Sequence, residues 1–313
     1  MVETTHAPVR DKEKSIFVDG VLFDIDIHWW KGWTKLELED IDKEEGELPA
    51  IFKLGTKRIL NPEAFKDFSV IESRARTLVD DLCFPFMIST VRFVPFATLP
   101  QLVEELTKLQ KAFYAFVEQF VFYYDDNKLS FMNRYPKYAL KLNKKYPDTM
   151  EIRGKFYFSW KLFEMSMPKE IKAEFLSDSE RERLQKLFTE SQDKVNSQLE
   201  GWVDRVGMAM RKEIGLVCKN MNDSLEKGKV IRESTLERTR ETIKRLRSMN
   251  FIGDPQVEDM LSDLERNVPG NFDRDNALVM APFKGTLQAI MAEAGDLTDI
   301  TTSTGEYKRK FRL

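Results

Sequence analysis

Residues 195–222 read VNSQLEGWVDRVGMAMRKEIGLVCKNMN. Leu199, Trp202, Val206, Met210, Ile214, Val217 and Met221 recur in this stretch at steps of three and four. That spacing places them on one face of an α-helix. Leu184, Leu187 and Val195 extend the same rhythm upstream, so the sequence predicts one long helix from Asp178 to about Leu225, with coiled-coil-like spacing. Gly201, Gly207 and Gly215 each weaken such a helix by roughly 1 kcal/mol relative to alanine, and Gly228 marks its expected end. A second helix follows over Ser234–Met249, with Leu236, Ile243 and Leu246 on its apolar face, and a third over Pro255–Asn267. The expectation for residues 166–268 is therefore a helical bundle or long hairpin. The stripe is longer than a small domain needs. It can pack on Leu236–Leu246 or on another subunit, which makes Leu199, Trp202, Val206, Met210, Ile214, Val217 and Met221 candidate residues for an oligomer or partner interface.

Upstream, the pattern changes. Ser15–Val18 and Val21–His28 are β-prone runs separated by Asp19-Gly20, a dipeptide that favours a tight hairpin turn. In the second run Phe23, Ile25 and Ile27 alternate with Asp24, Asp26 and His28, as in a half-exposed strand. Trp29, Trp30 and Trp33 follow within five residues, three of the five tryptophans in the chain. Asn61-Pro62 reads as a helix start, and a further helix is expected from about Ser69 to Leu82. Phe84–Phe96 reads as extended. Leu102, Leu106, Leu109, Phe113, Phe116 and Phe120 then mark an amphipathic helix from Pro100 to about Tyr124, ending near Asp125-Asp126-Asn127. A shorter helix over Pro136–Tyr146 and a strand within Lys155–Phe163 complete an α+β part over 15–165. Residues 269–313 read as an irregular segment with one short helix near Thr286–Ala294 and a polar, then basic, tail. The fold class is mainly α, with a small N-terminal β-hairpin/α+β part and a long helical hairpin or bundle in the C-terminal half.

Composition limits function. The 313 residues carry a net charge of −3, so no global field draws the protein to nucleic acid or to an anionic membrane. No run approaches the roughly 18 apolar residues that a spanning helix requires. The first residues lack the apolar core of a secretory signal. A cytoplasmic location, in a bacterium or a phage-infected host, is the expectation. Cys83 and Cys218 lie far apart in apolar surroundings and suggest buried thiols rather than a disulfide or zinc framework.

Catalytic motifs are missing for identifiable reasons. Gly154-Lys155 and Gly228-Lys229 lack both the earlier glycine and the following Ser/Thr of a phosphate cradle. Two histidines, His6 and His28, are too few for a zinc site or a nucleophilic triad. Asp24, Asp26 and His28 share one strand face within reach of a common cation, but strand alternation produces such solvated rows routinely. Asp273 and Asp275 open a calcium-loop-like spacing that Ala277 ends. No enzyme activity and no cofactor or metal is expected. A metal-dependent enzyme using Asp24, Asp26 and His28 is the weakest alternative.

The most polarised stretch is 128–161, with nine basic and two acidic residues. Lys128, Arg134, Lys137, Lys141, Lys144, Lys145, Arg153 and Lys155 are its candidate nucleic-acid-binding residues. Interleaved Phe131, Tyr135, Tyr138, Tyr146, Phe156, Tyr157, Phe158 and Trp160 could stack on unpaired bases. The bland alternative is a solvated basic face over core aromatics. Arg238, Arg240, Lys244, Arg245 and Arg247 form a weaker basic group, whose interspersed Glu233, Glu237 and Glu241 suggest pairs within the helix.

The order of segments resembles a family of bacterial and phage proteins known only as a domain of unknown function. The resemblance rests on Leu54-Gly55-Thr56-Lys57-Arg58, Ile59-Leu60-Asn61-Pro62, Ser73-Arg74-Ala75-Arg76, the helix from Pro100 to Tyr124, Lys155-Phe156-Tyr157-Phe158, and Arg245 to Phe251. It spans roughly Ser15–Asn267. The family brings no established activity or site residues. It implies a setting beside a MoxR-type AAA+ ATPase and a von Willebrand factor A-type protein, in which the ATPase supplies nucleotide chemistry. The expectation is a non-enzymatic assembly or adaptor protein whose partners are itself or an AAA+ component, with single-stranded nucleic-acid binding as the competing reading.

Overall fold

The computed structural model describes residues 16–35, 52–53, 55–88, 90–165, 177–227, 233–268 and 277–295. In chain order the strands are β1 (Gly20–His28), β2 (Trp33–Lys35), β3 (Phe52–Lys53), β4 (Thr56–Arg58), β5 (Phe84–Pro85), β6 (Arg92–Pro95) and β7 (Tyr157–Phe163). The helices are α1 (Lys66–Leu82), α2 (Leu99–Phe122), α3 (Tyr124–Arg134), α4 (Ala139–Asn143), α5 (Thr149–Arg153), α6 (Asp178–Glu226), α7 (Glu233–Met249), α8 (Pro255–Asn267) and α9 (Ala277–Glu293). The mainly helical class with a small antiparallel sheet is what the sequence predicts. His6, Gly228, the Asp273/Asp275 spacing, and the expected frayed start and basic tail lie outside the described residues.

The chain forms two compact units. The first comprises residues 1–23, 82–100 and 162–313, and the second residues 24–81 and 101–161. Neither is contiguous, unlike the blocks 15–165, 166–268 and 269–313 that composition suggests.

In the first unit α6 is the spine. Trp202, Val206, Met210, Ile214, Val217 and Met221 are buried in one core with Ile243 and Leu246 of α7 and Val257, Met260, Leu261 and Leu264 of α8. Helix α9 joins them and packs along α6 through Phe283, Leu287 and Ile290. It starts well before the Thr286 expected from sequence. The chain reverses between α7 and α8 at Gly253, whose φ of +62° favours glycine. Asp254 then caps α8 by accepting from the backbone N–H groups of Gln256 (3.0 Å) and Val257 (3.3 Å). The same carboxylate accepts from Arg211 at 2.6 Å. Gly207 is explained here: a Cβ at this position would lie 2.8 Å from Asp254 Oδ2. The helix accepts glycine's weak propensity so that this turn can approach.

The expected hairpin at Asp19-Gly20 is replaced by a different pairing. Ile16–Val18 is one turn of 3₁₀ helix, and β1 pairs antiparallel with the distant β6, Gly20 opposite Pro95 and Phe23 opposite Arg92. Strand β5 continues the sheet on β6 through Phe84 opposite Phe93. Gly20 is a ladder residue, not a turn residue. A Cβ there would meet the Val94 carbonyl oxygen and the Phe93 ring, both at 2.4 Å. Gly20→Ala should therefore destabilise the chain by about 1–3 kcal/mol through overpacking, read as a lower urea midpoint with an unchanged m-value.

The second unit is held by aromatic rings. Phe68 of α1 meets Phe113 and Phe120 of α2 at 5.4 and 6.0 Å, and Phe156 at 4.9 Å. Leu102, Leu106, Phe113, Val117 and Phe120 are the buried stripe of α2. Helix α2 does not stop at Asp125-Asp126-Asn127. It breaks at Tyr123, and the two aspartates fall in the first turn of α3, where carboxylates oppose the helix dipole favourably. Strands β2, β4 and β3 make a second small antiparallel sheet, with Trp33 opposite Arg58. Pro62 opens a 3₁₀ turn leading into α1. Asn61 stands at its cap position without a side-chain cap bond.

Candidate functional site

The tryptophan-rich turn after β1 builds a pocket in the second unit. Gly32 has φ +65°, and its carbonyl accepts from Ile59 N–H at 2.8 Å. A Cβ on Gly32 would lie 2.7 Å from the Phe65 ring, so both the backbone twist and the close approach demand glycine. This turn sends Trp29, Lys31 and Trp33 to line a pocket of about 440 Å³ together with Arg58, Pro62, Glu63, Phe65, Lys66, Ser69 and Val70. Trp29 is stacked on Phe65 (5.9 Å) and Phe68 (6.2 Å), and its indole N–H donates to Glu72 at 2.8 Å. Burial pushes the Glu72 carboxyl up, but the bonds from Trp29 and Arg76, with the charges of Arg76 and Lys31, outweigh it and hold the group below its ordinary range. Arg58 lies over the Trp33 ring at 4.4 Å and Lys31 over Trp29 at 5.4 Å. The cluster Trp29, Trp30, Trp33 was the visible signal in sequence. Arg58 and Lys66 carried none, because their place in the pocket depends on strand pairing and the start of α1.

The cations of the basic stretch 128–161 differ in surroundings. Lys128 pairs with Asp125 at 2.5 Å and sits 4.6 Å from the Tyr124 ring centre. Arg153 pairs with Glu118 at 2.5 Å and Lys155 with Glu151 at 2.7 Å. Arg134 lies near the Tyr135 ring. Arg134, Lys137, Lys141 and Lys144 are exposed, and Lys145 is half-buried. Phe131, Phe156 and Phe158 are core residues, whereas Tyr157 is exposed. Tyr135, Tyr138 and Tyr146 pack on a small cluster of Ile59, Phe131 and Leu142. Burial pushes the Tyr146 phenol up, and its hydroxyl donates to the Ile59 carbonyl.

The α6 stripe is divided as well. Trp202, Val206, Met210, Ile214, Val217 and Met221 are buried in the chain's own core, and Leu199 packs against it half-buried. In this conformation those residues offer little to a partner, because α7, α8, α9 and the β5–β6 segment already cover them. Farther toward the N-terminus the same helix face emerges: Leu184, Phe188 and Val195 are half-buried outside that core, and Leu187 beside them is 54% exposed. Ser177 and Glu180 close a capping box at the start of this arm.

Asp24 is half-buried, and Asp26 and His28 are exposed, the polar side of β1. No group of three His, Cys, Asp or Glu residues that can hold a metal ion occurs among the described residues. Cys83 and Cys218 are both buried, and burial pushes the Cys218 thiol up to about 12, which disfavours the reactive thiolate. No helix among the described residues is long and apolar enough to cross a membrane.

A helical spine with bundled partners, joined to a small aromatic α+β unit, defines a mainly helical protein of the class the sequence predicts. The chain belongs to the protein family of unknown function DUF3150, which matches residues 19–268. That span agrees closely with the Ser15–Asn267 carried by the resemblance in segment order. No curated protein and no solved structure matches the chain.

Proposed function

We propose that this chain is a non-enzymatic assembly protein that self-associates through the N-terminal arm of α6, Asp178 to about Gln198. The observation that carries the reading is that the apolar residues of that arm lie outside the hydrophobic core of the described residues, with Leu187 54% exposed. Leu184, Phe188, Ser191, Gln192, Val195 and Leu199 share one face at 3.6 residues per turn, in line with the core face that starts at Trp202. The charged residues between Leu184 and Leu199, namely Lys186, Glu190, Asp193 and Lys194, all fall on the opposite side. A lone helix of roughly 30 Å is marginal in water without an apolar surface to rest on. A charge-free face suits the equivalent face of a second copy better than it suits a charged partner. The family resemblance adds a setting beside a MoxR-type AAA+ ATPase, and the assembled chain is then the non-catalytic component of that system in the cytoplasm.

Light scattering after size exclusion tests the reading. The intact chain should run as a dimer or higher oligomer. Leu187→Glu with Phe188→Glu should yield a monomer whose melting temperature changes little, because neither side chain belongs to the core. A wild-type chain that is monomeric across micromolar concentrations overturns self-association, and failure to retain a MoxR-type ATPase from the native cell removes the AAA+ setting.

A single-strand nucleic-acid interface running from the end of α3 to the start of β7 is the second reading. It is favoured by the exposure of Arg134, Lys137, Lys141, Lys144 and Tyr157 on one short stretch. Changing Lys141, Lys144 and Lys145 to glutamate should abolish low-salt binding of oligothymidylate if this surface carries it.

A further inference from the structure

The pocket at the Trp29–Trp33 turn has a chemistry that the assembly reading does not use. From its lining we infer that it binds a nucleoside phosphate, with a planar base against the indoles and a phosphate held by Lys31, Arg58 and Lys66.

The first support is charge. Lys31, Arg58 and Lys66 face one acidic lining residue, Glu63. None of the three makes an ion pair among the described residues, although Lys31 lies close enough to Glu72 to lower its pKa. Elsewhere cations on this chain are commonly matched: Lys108 with Glu104, Arg211 with Asp254, Arg247 with Glu258 and Glu265. Three cations gathered around one lining carboxylate leave a positive excess that favours an anion.

The second support is the rings. Trp29 and Trp33 are half-buried, so both retain surface toward solvent. The indole N–H of Trp29 is already held by Glu72, so what this side chain offers a ligand is its half-buried ring and not a hydrogen bond. Arg58, stacked over Trp33, is held in place for a phosphate oxygen by the antiparallel pairing of the two residues. Flat ring plus anion is the combination that a nucleotide presents, and indole faces accept any base.

The third support is preorganisation. Gly32 is locked by φ and by its contact with Phe65, and Trp29 by Phe65, Phe68 and Glu72. The lining is fixed by the chain's own contacts, as in small-molecule pockets, and a volume of about 440 Å³ suits a ligand of nucleotide size.

The nucleotide can be free or can be one unit of a single strand. Calorimetric titration at low salt of the full chain with AMP, CMP, GMP and UMP, and separately with a short oligothymidylate, distinguishes these sources. Saturable mononucleotide binding supports a free nucleotide. Oligothymidylate binding without mononucleotide binding supports a strand whose single base enters the pocket. In either case Lys31→Glu with Lys66→Glu should weaken binding at least tenfold with the melting temperature unchanged, since both lysines are exposed. Trp33→Leu should also weaken it. The Lys141, Lys144 and Lys145 substitutions above should not, which separates this pocket from that surface. The inference is overturned if no nucleotide or oligonucleotide binds, if inorganic phosphate binds as tightly as the nucleotides, if an acidic tyrosine-containing peptide displaces them at lower concentration, or if the pocket substitutions leave affinity unchanged.

Discussion

Arg245→Ala is expected to destabilise the first unit by about 3–5 kcal/mol, the usual result of removing one member of a buried ion pair. Glu213 sits on the core face of α6 with its side chain fully buried, and Arg245 of α7 donates to it at 2.9 Å. Truncating the arginine leaves a carboxylate inside the bundle without that counter-ion, and desolvation dominates the cost. The reverse design separates cost from benefit. Arg245→Met together with Glu213→Leu removes both charges and should recover most of the lost stability, because the attraction within such a pair barely exceeds the cost of drying it. Urea denaturation of the three chains measures this. Equal stability of Arg245→Ala and the wild type would mean that the pair contributes nothing.

Trp202→Ala should cost a comparable 3–5 kcal/mol. The indole is 4% exposed and meets the rings of Phe86, Phe93 and Phe251 at 5.3, 5.2 and 6.0 Å. Its N–H donates to the Pro85 carbonyl at 2.6 Å. One side chain therefore ties α6 to β5, β6 and the α7–α8 turn. Trp202→Phe keeps most of the ring volume but leaves the Pro85 oxygen without its donor, and should cost about 1–3 kcal/mol. The difference between the two substitutions divides packing from hydrogen bonding. Neither should alter the oligomeric state of the chain that remains folded, whereas changes at Leu187 and Phe188 should, so the two ends of one stripe are expected to answer differently.

Much of the fold was legible because its signals are local. Asp254-Pro255 marks the start of α8 with a cap and a fixed φ, and α8 runs over Pro255–Asn267 as expected. The continuous rhythm from Leu184 to Met221 gives α6 to within a residue. What was not legible depends on partners distant in sequence. Gly20 after an aspartate reads as a turn, and only the arrival of β6 shows that it is a point of close approach. Arg245 and Arg247 read as members of pairs within α7, since glutamates are interspersed along it. They instead reach Glu213 on α6 and Glu258 and Glu265 on α8, and no spacing rule within one helix can show this. The pocket was half visible. Three crowded tryptophans flag the turn, but its cations come from β4 and α1, whose placement is tertiary. In the basic stretch, charge counting could not foresee that Glu118, thirty-five residues away, neutralises Arg153.

The division of β1 between the two units has a bearing on how this protein is made. Its Gly20–Phe23 half belongs to one unit and its Asp24–His28 half to the other, and the chain changes unit again at Asp81/Leu82, Pro100/Gln101 and Lys161/Leu162. A ribosome completes the smaller unit when Lys161 emerges. The first unit must wait for Phe283, Leu287 and Ile290 of α9, more than a hundred residues later. Until then β1, β5 and β6 have been synthesised without the apolar surface that will cover them, and their strand edges are open to other nascent chains. Expression truncated before α9 should accumulate as aggregate.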